Sequence, residues 1–158
     1  MLLVDTSVWI EVFRKPSRLR LETVAEIDEI ATCLPVVQEV LQGFRDEAAY
    51  RTAREALLAF PLVESPLGAP LFEQAVALYR SARRQGLTVR SGVDCLIAAC
   101  AIRHGLTVLH HDRDFPASRE RDEHVLAVGT GDGLDGRASD IDRGFEFSRF
   151  NIVHEELA

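Results

Sequence analysis

Four carboxylates stand where strand-like sequence gives way to helix-like sequence or where a buried run ends. Asp5 follows Leu2-Leu3-Val4, and Glu39 lies within Pro35-Val36-Val37-Gln38-Glu39-Val40. Asp94 heads the apolar run Cys95 to Ile102, and Asp112 follows Thr107-Val108-Leu109-His110-His111. In an open α/β sheet the ligand crevice lies outside the carboxyl ends of the strands, so acids far apart in sequence can converge there. Converging carboxylates repel each other and need a cation between them, which predicts a divalent-metal site. An all-carboxylate donor set suits Mg²⁺ or Mn²⁺ better than a transition metal that prefers imidazole or thiolate. His110 and His111 are neighbours in a strand and point to opposite faces, so joint ligation of one metal is not expected of them.

Each acid has an ordinary explanation as well. Asp, Thr and Ser are all good helix N-caps, which would account for Asp5-Thr6-Ser7. Glu39 lies at the margin of the stripe formed by Val36, Val40 and Phe44, where a solvated glutamate is common. Asp94 is placed to be the third helical residue of a capping box begun by Ser91, and Asp112-Arg113-Asp114 could serve a turn. The apolar helix behind Asp94 implies burial, which places its mouth near a cleft.

The elements that must position these acids follow from pattern. Met1 to Val4 suits a buried parallel strand, and Thr6 or Ser7 can cap a helix carrying Val8, Trp9, Val12 and Phe13. Leu21, Val24, Ile27 and Ile30 predict a second helix, and Thr32-Cys33-Leu34 a second strand. Pro35 opens the next helix, where its missing N–H costs nothing, and Gly43 ends it. Asp46 to Phe60 and Pro70 to Gln85 read as two further helices, with Leu62-Val63 as a short edge strand between them and Gly86 as a C-cap. Ser91 to Ile102 forms a helix apolar on every side, Gly105 stops it, and Thr107 to His110 and Val125 to Val128 are strands. Gly129 to Gly144 holds five of the ten glycines with Asp132, Asp135, Asp140 and Asp142, the composition of a flexible loop. Phe145, Phe147, Phe150, Ile152 and Val153 could then dock as a strand.

A chain of 158 residues fits one domain that buries about 70% of its unfolded surface. The longest uninterrupted apolar run, Cys95 to Ile102, is far short of the roughly 18 residues of a membrane span. The first residues lack the basic region of a secretory signal, so a cytoplasmic protein with no membrane partner is expected. Cys33, Cys95 and Cys100 lack paired CxxC spacing and read as reduced, buried thiols. A formal net charge of −7 excludes a protein that coats nucleic acid with a basic surface. It leaves room for an enzyme whose metal and local arginines reverse the sign at one cleft.

The ordered combination of Asp5-Thr6-Ser7, Glu39 in an apolar helix, Asp94-Cys95-Leu96-Ile97-Ala98-Ala99 and Leu109-His110-His111-Asp112-Arg113-Asp114-Phe115 resembles the PIN-domain ribonucleases, specifically the VapC-type toxins of bacterial toxin–antitoxin pairs. The resemblance spans residues 1–128. It implies an α/β fold, a PIN-like three-layer sandwich with a small parallel sheet flanked by helices, and one or two Mg²⁺ or Mn²⁺ ions. Carried over by position, Asp5, Glu39, Asp94 and Asp112 match the family's four acids, which would ligate the metal. Asp114 is the alternative to Asp112, and Thr6 or Ser7 matches the hydroxyl that supports the first acid. Residues 129–158 depart from the compact family pattern and are taken as a loop and C-terminal tail of the same domain.

The reading is therefore a metal-dependent endoribonuclease toxin, with Arg14 and Arg113 nearest to the site motifs as RNA contacts. A small VapB-like antitoxin and a homodimer are the partners the resemblance implies. A PIN-type nuclease in RNA processing and a catalytically inactive acidic-site module are the alternatives. A phosphatase with a DxDxT loop does not fit, since Asp5-Thr6-Ser7 lacks the second Asp. A phospho-accepting receiver domain needs a late Lys, and Lys15 is the only lysine.

Overall fold

The computed structural model describes residues 1–17, 19–84, 86, 89, 91–111, 125–129 and 151–154. Three apolar residues, Leu2–Val4, form the central strand β1. Helix α1, Thr6–Phe13, follows it with one residue between. Ile30–Cys33 forms β2, buried along its whole length, and runs directly into α2, Leu34–Gln42. Then come α3, Glu47–Leu58, the two-residue strand β3, Leu62–Val63, and α4, Ala69–Arg84. Helix α5, Gly92–His104, leads into β4, Thr107–His111. Two more strands, β5 at Val125–Gly129 and β6 at Asn151–His154, complete the sheet.

The strand order is β3-β2-β1-β4-β5-β6. The first four strands are mutually parallel, with Leu3 of β1 opposite Ala31 on one side and Val108 on the other. Strands β5 and β6 add to the β4 edge in antiparallel sense. Five helices flank the parallel part, as a small parallel sheet requires to bury both faces. Leu3, Val4, Ile30 and Ala31 from the strands are buried with Val8, Val36, Leu57, Leu71, Leu78 and Cys100 from the helices. Trp9 stacks on Phe13 at 5.7 Å and meets Phe60 at 5.4 Å, so α1 is anchored by aromatic packing as well as by its aliphatic face.

The three cysteines are free thiols and buried. A hydrogen bond between Cys33 and Cys100 lowers the Cys33 thiol and raises that of Cys100, and burial raises Cys95. No helix among the described residues is long and apolar enough to cross a membrane.

Most predicted elements are present within a residue or two, and the exceptions have physical reasons. Leu21 to Ile30 is not a helix: it holds 3₁₀ turns at Leu21–Thr23 and Ile27–Glu29, and Ile30 opens β2. The apolar residues recur strictly every third position, the pitch of a 3₁₀ turn rather than of an α-helix, and Leu21 is buried while Ile27 is 45% exposed, so they share no face. With Ile30 taken into the sheet, β2 ends at Cys33, and Leu34 belongs to α2 rather than to the strand. The cap of α1 is Asp5, not Thr6 or Ser7. Gly86 and Gly105 both adopt positive φ after α4 and α5, as predicted for glycines that end helices. A strand after residue 144 is present at Asn151–His154.

Candidate active site

Asp5 stands at the carboxyl end of β1, in the middle of the parallel strands. Its backbone N–H donates to the carbonyl of Leu109 at 2.9 Å, which fastens the start of α1 to β4. Its backbone is extended, so the side chain turns back over the helix start and accepts from Ser7 N at 3.0 Å. The Ser7 hydroxyl donates to the same oxygen, Oδ2, at 2.6 Å. His110 Nδ1 from β4 lies 3.0 Å from Oδ2 and 3.1 Å from Ser7 Oγ. Oδ1 has no hydrogen-bond partner among the described residues. Burial pushes the Asp5 carboxyl up, but the bonds from His110 and Ser7 outweigh it and hold the group below the usual carboxylate range. The side chain is 16% exposed, enough for its open oxygen to meet a ligand.

Thr6 faces the other way. Successive helix positions are rotated by about 100°, so while Ser7 folds onto Asp5, the Thr6 hydroxyl donates to Glu39 Oε2 of α2 at 2.8 Å. The two hydroxyls that sequence offered as alternatives thus do different jobs: Ser7 holds the first acid and Thr6 the second. Glu39 is half-buried, flanked on its helix by the buried Val36 and Val40. The structure therefore joins Asp5 and Glu39, 34 positions apart, through two consecutive hydroxyl residues.

Asp94 lies on the exposed first turn of α5. Ser91 caps that helix by accepting from Val93 N at 3.1 Å. Asp112, Asp114 and Arg113 lie outside the described residues. Arg14 is half-exposed, and its Nη1 contacts both carboxylate oxygens of the buried Glu11 at 3.3 and 3.4 Å. Among the described residues no group of three or more His, Cys, Asp or Glu side chains is arranged to hold a metal ion. The donors present nevertheless have the right chemistry for a hard cation: Asp5 and Glu39 each engage one oxygen in hydrogen bonds, and neither second oxygen is bonded among the described residues.

The residue that sequence reading undervalued is His110. By residue type it offers only a metal ligand, whereas its Nδ1 meets the first acid. The signal lay in strand register: if Val4 pairs with Leu109, as it does, the next residue of each strand, Asp5 and His110, must be neighbours.

A family model described as PIN domain matches residues 2–120. The protein called VapC ribonuclease Mb1587, of Mycobacterium bovis, is 41% identical over 120 residues, covering 73% of this chain and 89% of that one. Among solved structures, a toxin–antitoxin complex from Klebsiella pneumoniae aligns with a TM-score of 0.55 at 24% identity, covering 75% of this chain and 93% of that chain. VapC20 of Mycobacterium tuberculosis, described as a sarcin–ricin loop cleaving toxin, aligns with a TM-score of 0.56 at 21% identity, covering 72% and 92%. At those identities the two structures establish likeness of fold.

Proposed function

The chain belongs to the PIN-domain family and to its VapC ribonucleases, and from that premise we propose that it is an endoribonuclease toxin neutralised by a small VapB-like antitoxin. We further propose that cleavage requires Mg²⁺ or Mn²⁺. The observation that carries this reading is the pair of carboxylates Asp5 and Glu39, tied together through Thr6 and Ser7 at the carboxyl end of the central strand, each with one oxygen left for a cation.

Asp5, Glu39, Asp94 and Asp112 would hold the metal, directly or through water, with Asp114 as the alternative fourth acid. A bound divalent ion supplies an acidified water for attack on the phosphodiester and neutralises charge on the leaving oxygen. The chain's own residues do the rest. Ser7 and Thr6 fix the two carboxylates in orientation. Arg14, half-exposed beside Glu11, and Arg113 are the proposed phosphate contacts. None of the acids is a covalent nucleophile.

Phe72 and Val76 stand one helical turn apart on α4 and are 48% and 57% exposed. Such an apolar face supports the proposal that the protein works with partners, an antitoxin helix and a second copy of itself. The proposed site of action is the cytoplasm, where RNA and antitoxin are both present.

The deciding experiment incubates purified toxin with structured RNA, with and without Mg²⁺, and sequences the product ends. Cleavage at defined positions that stops in excess chelator is expected. Cleavage that persists in chelator would remove the metal mechanism. Co-expression with a VapB-like antitoxin encoded beside this chain should give a complex, and sedimentation a dimer; an isolated monomer in both would remove the partner reading.

A further inference from the structure

The bonds that Ser7 makes to Asp5 come from the same turn of chain, so they move with it. Among the described residues only His110 reaches the carboxylate from another strand, across 105 positions of sequence. Which atom holds the proton follows from the partners. The Ser7 hydroxyl gives its proton to Oδ2 at 2.6 Å, and an ionised carboxylate has none to give. Both oxygens therefore turn lone pairs toward Nδ1, at 3.0 and 3.1 Å, and an unprotonated Nδ1 there would be repelled by both. An imidazole that carries its proton on Nδ1 can donate it to the pair, the arrangement that these distances favour.

We infer that His110 is a positioning residue: its Nδ1–H pins Oδ2 of Asp5 to β4 and so turns Oδ1 toward the cation. A carboxylate is free to rotate through a broad, nearly two-fold well about its last torsion, and donors concentrated on one oxygen remove that freedom. The location of His110 gives the pin its use. The bond joins the first acid to the neighbouring parallel strand, so β4 orients a carboxylate that would otherwise be held only by its own turn of chain. This rests on the metal-dependent nuclease reading above, and the two can fail separately.

The test titrates Mn²⁺ alone into the full chain, without RNA, and follows binding by electron paramagnetic resonance. His110→Leu keeps bulk and removes the donor; His110→Asn keeps an N–H close to the position of Nδ1. Loss of a partner that orients a ligand typically costs about ten- to a hundredfold in metal affinity, so His110→Leu is expected to weaken Mn²⁺ binding by that factor and His110→Asn to recover most of it. Equal affinity of His110→Leu and the unaltered chain overturns the inference, as does an Asn variant no better than Leu, or an unaltered chain that binds no Mn²⁺. If His110→Leu does not fold, ¹⁵N NMR of the imidazole in the unaltered protein decides. A proton on Nδ1 supports the inference, and a proton on Nε2 alone overturns it. Mn²⁺ binding that depends on His110 in a protein that cuts no RNA would refute the nuclease reading and leave His110 its role. Metal-dependent RNA cleavage with Mn²⁺ affinity indifferent to His110 would do the reverse.

Discussion

Two helices of this protein begin with an aspartate cap, and the two caps differ in everything but that. Asp5 caps α1 by accepting from Ser7 N, and Asp46 caps α3 by accepting from Ala49 N at 2.8 Å. The Asp46 bond is exposed and local. Asp5 adds the Ser7 hydroxyl and an imidazole from a different strand, and it sits where β1 and β4 end side by side. Capping accounts fully for one aspartate and for a fraction of the other. What separates Asp5 from a plain cap is the arrival of a second element at the carboxylate, not the residue type or its place in the helix.

The largest effect that tests this contrast is on catalysis. Asp5→Asn keeps a cap but removes the charge, and cleavage should fall by at least about a hundredfold, more than the loss of a ligand's supporting partner costs; a rate assay against defined RNA checks it. Near-normal cleavage by Asp5→Asn would reduce Asp5 to another Asp46.

Helix α5 offers the same contrast within one turn, because the cap and the acid are separate residues. Asp94→Asn should cut cleavage by at least about tenfold through weaker metal binding. Ser91→Ala should cost about 1 kcal/mol of stability and leave cleavage near normal. Thermal melts beside the cleavage assay separate the two, and a reversed pattern would make Asp94 structural.

Asp46→Ala should likewise cost about 1 kcal/mol, lowering the melting temperature by about 3 °C for a chain of this size, with no change in cleavage.

The smallest effect is a difference in acid sensitivity. Asp5 titrates below its ordinary value of 3.8 in the folded protein, so its contribution to stability is complete above that value and is lost as pH falls through the lower folded one. The stability difference between the unaltered chain and Asp5→Asn should therefore shrink as pH drops below about 4, measured by urea melts. Burial raises the Glu64 carboxyl, and Arg103 at 2.8 Å and His104 at 2.9 Å lower it by more. That pair persists in both chains and cancels from the comparison.

Sequence made the scaffold legible wherever apolar period and punctuation agreed. Leu2-Leu3-Val4 ahead of an acid, Gly86 and Gly105 after helical runs, and the all-round apolar Cys95–Ile102 admit few other readings. It misled at Leu21–Ile30, where apolar residues spaced by three mimic a helical stripe but fit 3₁₀ turns and a strand. For the site, Asp5 and Glu39 were legible because each borders a buried run. The assignment of Thr6 to Glu39 and Ser7 to Asp5 was not, since both are small hydroxyl residues and only the helix rotation separates them. The partnership of His110 with Asp5 depends on the pairing of β1 with β4, a tertiary fact that residue types do not encode.

The bond between His110 and Asp5 also sets a rule for order of assembly. Parallel strands distant in sequence pair only after their connecting chain is available, and such long-range closure is a slow step in folding. Here β1 is made first and β4 more than a hundred residues later, and domains fold during synthesis as their parts emerge. A nascent chain that has reached α4 holds Asp5, Thr6, Ser7 and Glu39 but lacks His110 and the Leu109 carbonyl to which the Asp5 N–H donates. The contact between Asp5 and His110 is thus absent for most of the chain's own translation and can form only once β4 has left the ribosome.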